Sequence, residues 1–287
     1  MVSSIRHAHG ELSTGHVLVM GILNRTPDSF YDGGRMGLDV SVDHAVRMIA
    51  AGADMVDIGG VKAGPGVEVS TAEELERTVP LVAEVARAIP APISVETARP
   101  AIAAAAIEGG AGIINDVSAL RDEDLARVCA RTGAGLVVMH NGGQIRGRPR
   151  HPRYDDVVVA VIEEFERCAS VALAAGMSSD QLIVDPGLDF GKTTYHSLEI
   201  MRRLDELSAL DWPLLVAPSR KDVVGETLAL PPEERLEGTL ALVAMSVLAG
   251  AAIVRVHDVE AAARVVRMTE AVLGDRPPAH PVRGLWD

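Results

Sequence analysis

Two short stretches of this chain concentrate cationic hydrogen-bond donors. Ser219-Arg-Lys221 offers a hydroxyl and two cations, and Arg255-Val-His257 adds a guanidinium and an imidazole two residues apart. Donors grouped in this way suit an oxyanion such as phosphate, which a guanidinium can grip through two parallel hydrogen bonds. Asp185 and Asn115 offer complementary chemistry. A carboxylate accepts paired hydrogen bonds from an amidine-like N–C–NH edge, and a carboxamide both donates and accepts. Purines and pterins present such an edge. The plain alternatives are a solvated basic turn for the first group and an ordinary Asp-Pro-Gly turn at Asp185.

These residues sit where short apolar runs end. Runs over Val17–Ile22, Met55–Ile58, Ile93–Val95, Gly112–Ile114, Gly135–Met139, Gln181–Val184, Pro213–Val216 and Ala252–Val256 read as buried strands. Between them, helical periodicity covers Ser41–Ala51, Thr71–Ala88, Pro100–Gly109, Asp122–Arg131, Asp155–Ala175, Ser197–Leu207, Pro232–Leu248 and Glu260–Leu273. Ser70-Thr-Ala-Glu73 has the spacing of a capping box. Strand-then-helix units with nearly continuous apolar strands imply a parallel sheet covered by helices, and eight such units close a (β/α)8 TIM barrel. A doubly wound open sheet is the alternative. The strand ends carry Asn24, Asp57, Glu96, Asn115, His140, Asp185, Ser219 to Lys221, and Arg255 with His257. In a barrel these positions converge on the face where active sites are built.

Composition narrows the partners. The chain has 287 residues, within reach of one α/β barrel, and its 48% hydrophobic content can fill a large core. A formal net charge of −13 argues against nucleic acid or an anionic membrane surface as partner, so an anionic ligand needs local cations. No apolar stretch reaches membrane-spanning length, and Val17–Leu23 is too short for a signal segment. Cys129 and Cys168 lie in Ala-rich helical patterns and are expected as buried free thiols in a reducing cytoplasm. Residues 1–16 read as a polar extension and 274–287 as a tail around a single domain. The Gly- and Pro-rich stretch His140–Tyr154 reads as a mobile loop on the active face.

Three familiar motifs fail on spacing. Gly187 and Gly191 precede Lys192-Thr but enclose only three residues, where a phosphate-binding P-loop needs four. The glycines of Thr132-Gly-Ala-Gly135 precede a strand instead of following one, unlike a dinucleotide fingerprint. The nine histidines show no paired zinc-ligand spacing.

In order, Asn24-Arg-Thr-Pro-Asp-Ser-Phe-Tyr-Asp-Gly-Gly34, Asp57-Ile-Gly-Gly60, Ile114-Asn-Asp-Val117, Val138-Met-His140, Asp185-Pro-Gly with Phe190-Gly-Lys192, Ser219-Arg-Lys221 and Arg255-Val-His-Asp-Val259 resemble the signature blocks of the dihydropteroate synthase family. The resemblance spans about residues 17 to 273. It implies a homodimeric TIM barrel joining 6-hydroxymethyl-7,8-dihydropterin pyrophosphate to p-aminobenzoate, or to another amine, with release of pyrophosphate. It further implies that Glu96, Asn115, Asp185 and Lys221 bind the pterin, and that Asn24, Lys62, Arg255 and His257 bind pyrophosphate. Asn24 and Asp32 would hold Mg2+, and Phe190, Arg220 and Asp222 would line the p-aminobenzoate side. Lys221, Asp185, Arg255 and His257 would carry the catalysis.

Departures from the family pattern are specific. Where the family reads Thr-Arg in the loop after Asp-Ile-Gly-Gly, this chain has Ala63-Gly64, with Lys62 nearby. Glu96 replaces an Asp, Asp222 a Ser and Asp189 a Gly. Val61-Lys-Ala-Gly-Pro-Gly66 with Lys221-Asp-Val-Val-Gly-Glu-Thr-Leu228 resembles the divergent second paralogue of this synthase in actinobacteria. Two further readings stand beside a weak or acceptor-altered synthase: a pterin-binding paralogue without catalysis, and a folate-dependent methyltransferase. The paired Ser219–Lys221 and Arg255–His257 clusters count against the last, because a methyl donor has no pyrophosphate to hold.

Overall fold

The computed structural model describes residues 4–24, 35–60, 69–143 and 151–283, with Asn24, Arg35 and Met36 described by their backbone alone. Asp32, Lys62, Ala63 and Gly64, and most of the loop between His140 and Tyr154, lie outside the described residues.

Eight parallel strands form the centre: β3 (Leu18–Asn24), β4 (Met55–Gly59), β5 (Ile93–Glu96), β6 (Ile113–Asp116), β7 (Gly135–Met139), β8 (Leu182–Asp185), β9 (Leu215–Val216) and β10 (Ile253–Val256). Their spatial order is β8-β7-β6-β5-β4-β3-β10-β9. The Val184 N–H donates to the Pro213 carbonyl at 3.0 Å, and Val184 bridges Leu214, so the two edge strands meet in a nearly closed barrel. The described helices are α1 (Arg35–Ala50), α2 (Thr71–Ala88), α3 (Pro100–Glu108), α4 (Asp124–Thr132), α5 (Val157–Ala174), α6 (Thr194–Arg202), α7 (Leu204–Ser208), α8 (Asp222–Leu228), α9 (Leu236–Leu248) and α10 (Val259–Leu273). The predicted strands correspond one for one, and α2 has the predicted bounds. Its cap forms as expected, with the Glu73 N–H donating to Ser70 Oγ at 3.2 Å.

Strand periodicity sets what each strand contributes. Side chains alternate between the helix-facing layer and the barrel interior. Leu18, Met20, Met55, Ile113, Val137, Ile183, Leu215 and Ile253 form an interior cluster separate from the larger helix–sheet core. Two residues further along four of these strands stand Asp57, Asn115, Asp185 and Arg255, so the same period that fills the lower barrel with aliphatic chains brings polar ones to its mouth.

Three features differ from the sequence reading. Within the polar extension, Ser4–His7 (β1) and Gly10–Ser13 (β2) form an antiparallel hairpin that no sequence pattern marks as strands. Ile5 is fully buried in the interior cluster, and the Ala8 N–H donates to the Gly112 carbonyl at 3.2 Å, so the hairpin closes the amino-terminal end of the barrel. The expected helix Ser197–Leu207 breaks at Arg203, which leaves helical geometry at φ −115°, ψ 27° while its guanidinium pairs with Asp156 and Glu206. Helix α8 was not anticipated. Cys129 and Cys168 are buried and free, and burial pushes each thiol up to about 12, which leaves both inert at neutral pH.

Candidate active site

The carboxyl end of the barrel holds a chain of buried charges. Arg255 Nε donates to Asp57 Oδ2 at 2.7 Å, and its Nη2 donates to Glu96 Oε2 at 2.8 Å. Asn115 Nδ2 reaches the same Asp57 oxygen at 3.1 Å. Asp57 Oδ1 and Ser94 Oγ are buried with no hydrogen-bond partner among the described residues, and the two residues are paired in register between β4 and β5. Unpaired buried acceptors are costly, so the floor of the mouth retains hydrogen-bonding capacity.

Desolvation shapes the charges. Burial pushes Glu96 up to about 7 and neighbouring Asp57 adds to the shift, although Arg255 opposes it. Burial likewise raises Asp185, against the attraction of Lys221 and Arg255, and lowers Lys221, against the attraction of Asp185 and Asp189. Burial works against the charge of Arg255, but Asp57 and Glu96 outweigh it and hold the guanidinium above its ordinary value. His257 falls to about 4, through burial and then the charges of Arg255 and Arg220, so it is neutral at pH 7. Ser219 Oγ accepts the His257 main-chain N–H at 3.1 Å and lies 2.9 Å from Nδ1. This arrangement suits a hydroxyl that donates to Nδ1, leaving Nε2 as the protonated nitrogen.

The loop after β8 supplies the opposite wall. Asp185 Oδ1 accepts the Gly187 N–H at 2.7 Å, and Lys221 Nζ donates to the Leu188 carbonyl at 2.8 Å and lies 5.1 Å from the centre of the Phe190 ring. A cation over an aromatic face is attracted by the ring quadrupole. Asp57, Glu96, Asn115, Asp185, Lys221, Phe190, Arg255 and His257 therefore belong to one end of the barrel. The backbone of Asn24 closes β3 at the same end, beside Gly59.

Other sequence candidates are engaged elsewhere. Arg220 forms a two-point ion pair with Asp258, at 2.7 and 3.0 Å, which holds a left-handed backbone at φ 55°. Asp222 accepts from Arg235 Nη1 at 3.2 Å, so its charge is partly offset. Asp189 Oδ2 accepts the Val223 N–H at 3.1 Å and so caps α8 from a different loop. Among the described residues no group of three or more His, Cys, Asp or Glu is placed to hold a metal ion. The two expected Mg2+ ligands are oxygen donors of the right chemistry, but Asp32 and the Asn24 side chain fall outside the described residues.

Sequence reading passed over three participants. Asp57 reads from the sequence as a strand end and the start of the Asp57-Ile-Gly-Gly60 block, with no role of its own, although it receives both Arg255 and Asn115. Lys192 and His140 form a buried pair, with Lys192 Nζ 2.7 Å from His140 Nδ1. Lys192 follows glycines whose spacing is not that of a P-loop, and its ammonium turns toward protein carbonyls. The signal available was the lysine itself, the one cation in a loop whose other charged residue, Asp189, is an acid.

Comparison with known proteins agrees with this architecture. A family model described as pterin binding enzyme matches residues 20–257. An inactive dihydropteroate synthase 2 of Mycobacterium tuberculosis is 46% identical over 275 residues, covering 93% of this chain and 86% of that protein. The dihydropteroate synthase of Bacillus subtilis is 42% identical over 259 residues, covering 89% and 88%. Among solved structures, Yersinia pestis dihydropteroate synthase in a sulfonamide drug complex superposes with a TM-score of 0.88 at 37% identity, over 95% of this chain and 100% of that one. A match through so much of the chain, on a barrel whose mouth carries these residues, makes this chain a member of the pterin-binding enzyme family, of dihydropteroate synthase type.

Proposed function

We propose that this chain binds 6-hydroxymethyl-7,8-dihydropterin pyrophosphate and transfers its pterin-methyl group to an aromatic amine, as a weak synthase or one altered in its acceptor. The observation that carries the reading is the convergence of Asn115, Asp185 and Lys221 with the Arg255–Glu96–Asp57 cluster at one end of the barrel. Asn115 and Asp185 supply the acceptors and donor suited to the amidine-like edge of a pterin. Lys221 would meet the ring from the Phe190 side, and Arg255 with the Nε2–H of His257 would receive the leaving pyrophosphate. The C–O bond breaks with its electron pair going to pyrophosphate, and the amine attacks the exocyclic carbon and then loses a proton. The protein contributes position and charge. Asn24 and Asp32 would hold Mg2+, which supplies charge neutralisation on the pyrophosphate.

A second reading, pterin binding without turnover, is favoured by Ala63-Gly64, which gives that loop no charged or hydroxyl group at either position. It is also favoured by the ion pairs that tie up Arg255. Calorimetry with 6-hydroxymethylpterin and with pyrophosphate, each alone, tests the shared part. Absence of pterin binding, or unchanged binding in Asp185→Asn, would refute it. A coupled pyrophosphate-release assay with p-aminobenzoate separates the readings, because turnover in the ordinary range of roughly 1–10³ per second eliminates the inert one. The full proposal includes a homodimer in a reducing cytoplasm. Exposed Met245, Leu248, Met268 and Val272 on the adjacent helices α9 and α10 support a self-association surface, and the two free thiols suit that compartment. Sedimentation of the purified chain tests the dimer.

A further inference from the structure

Lys192 is only 4% exposed and has no carboxylate in hydrogen-bonding contact among the described residues. Its ammonium is surrounded by oxygen and nitrogen acceptors: His140 Nδ1 at 2.7 Å, the Phe190 carbonyl at 2.9 Å, the Gly187 carbonyl at 3.0 Å and the His140 carbonyl at 3.1 Å. An ammonium has three N–H donors and a neutral amine two, so this set favours the charged form against the burial that lowers the lysine to about 7. His140 is poised to accept, because burial and then the adjacent Lys192 charge hold its imidazole down at about 3. Burying a cation carries a large desolvation penalty, and well-packed apolar residues in place of buried charged groups are often neutral or stabilising. A contribution to fold stability alone is therefore a poor account of this lysine.

Its position suggests a different role. Two loops meet at Lys192, one leaving β7 through His140 and Asn141, the other leaving β8 through Gly187 to Gly191. They touch backbone to backbone. A Cβ at Gly187 would lie 2.1 Å from the His140 carbonyl, one at Gly191 would lie 2.4 Å from the Asn141 carbonyl, and both glycines have positive φ. Tyr154 Oη adds a bond to the Gly191 carbonyl at 2.8 Å. From the far side Lys221 holds the intervening Leu188 carbonyl. The carbonyls of residues 187, 188 and 190 are thus claimed by two lysines, and this segment is what anchors the Asp185 carboxylate and sets the Phe190 ring against Lys221.

We propose that Lys192 is a positioning residue: its ammonium knots the β7 and β8 loops together and thereby sets Asp185, Phe190 and Lys221 in the geometry that receives the pterin. The inference rests on the pterin-binding reading above, and the experiment keeps the two apart. Full-length wild type, Lys192→Met and Lys192→Arg are compared by calorimetry with 6-hydroxymethylpterin and, separately, with pyrophosphate. Hydrogen–deuterium exchange is followed over residues 185–191 and over the barrel strands. Lys192→Met is expected to weaken pterin binding at least tenfold with less than a twofold change for pyrophosphate, and to speed exchange in 185–191 while the strands keep their protection. Lys192→Arg, which keeps the charge on a planar fork, is expected to recover part of both effects. Parallel loss of both ligands with a general rise in exchange, or unchanged pterin affinity and loop exchange, overturns the proposal. If Lys192→Met does not fold, Lys192→Arg carries the same comparison, and failure of both to fold makes the lysine structural and also overturns it. If wild type binds no pterin, the parent reading fails, and loop exchange alone decides the positioning role.

Discussion

Glu96 Oε2 lies 2.8 Å from Arg255 Nη2, and that same Nη2 and the neighbouring Nε both reach Asp57 Oδ2 at 2.7 Å. One cation is thus shared by two buried acids, and an anion approaching Arg255 meets a partly neutralised guanidinium. Glu96, raised to about 7, is the member of this set that changes charge near neutrality. Above pH 7 it is ionised and offsets Arg255; below pH 7 it takes up a proton and releases that charge. Binding of sulfate, whose own charge is constant in this range, should therefore tighten between pH 8 and pH 6. Partial relief of one buried charge is worth on the order of 1 kcal/mol, about fivefold. Lys192, lowered to about 7 by burial, titrates in the same window and acts in the same direction, but by less than the twofold change expected of Lys192→Met with pyrophosphate. The Glu96→Gln variant separates the two contributions, since it should bind sulfate tightly at both pH values and lose most of the slope.

The same shift predicts a stability profile. The folded state holds the Glu96 proton more tightly than the unfolded chain, in which the carboxyl titrates near 4.5. More protons are bound folded than unfolded between those values, so this group's contribution to stability is full below about pH 4.5 and declines as pH rises through about 7. Melting temperatures taken from pH 5 to pH 8 should fall by less in Glu96→Gln than in wild type. Identical slopes would remove Glu96 as the source.

Gly187 is where the β8 loop passes closest to its neighbour. Its φ is +60°, and an added Cβ would sit 2.1 Å from the His140 carbonyl, a contact that must shift backbone. The left-handed conformation alone costs a non-glycine residue roughly 1–2 kcal/mol. Gly187→Ala should lower stability by more than that and weaken pterin binding with it, as thermal melting and calorimetry would show. A variant with wild-type melting and affinity would mean that the loop has room the geometry does not show.

How far these contacts were legible in the sequence depended on how local they are. Met55 with Asp57 and Ile113 with Asn115 could be read directly, because an interior apolar residue and a polar one two places later need only strand periodicity. The Lys192 node could not, since its partner His140 lies 52 residues away and its other acceptors are main-chain carbonyls, which carry no side-chain signature. Helix α8 has only 7 residues and takes a cap from Asp189, 34 residues before Val223, so local propensity understated it. In the amino-terminal hairpin, Ile5 is one apolar residue in a polar stretch, and its burial follows from the opening it fills.

That hairpin gives a stability prediction. Ile5 is fully buried among Leu18, Met20, Met55 and Ile253 at the closed end of the barrel. Truncating a buried isoleucine to alanine costs about 2–5 kcal/mol. Ile5→Ala should lower the denaturation midpoint accordingly while leaving pterin affinity within about twofold, because the site lies at the opposite end. A loss of pterin binding at temperatures where the variant is folded would indicate coupling between the two ends.

The loop after β4 holds the decisive test of catalytic competence. Where the family resemblance calls for Thr and Arg against the pyrophosphate, this chain has Ala63 and Gly64. A hydrogen bond involving a charged group contributes about 1.5–3 kcal/mol, so two missing contacts correspond to a deficit of roughly a hundredfold or more. Lys62 can supply a charge but not a two-point fork. The double variant Ala63→Thr, Gly64→Arg should raise pyrophosphate release with p-aminobenzoate by about that factor and rescue a synthase-deficient strain that wild type does not. Gly64→Arg alone should give the larger single gain, because it restores the bidentate cation. If the double variant stays at the wild-type rate while binding both substrates, the block lies beyond this loop. Glu96, whose carboxylate holds Arg255 in an ion pair, is then the next position to change.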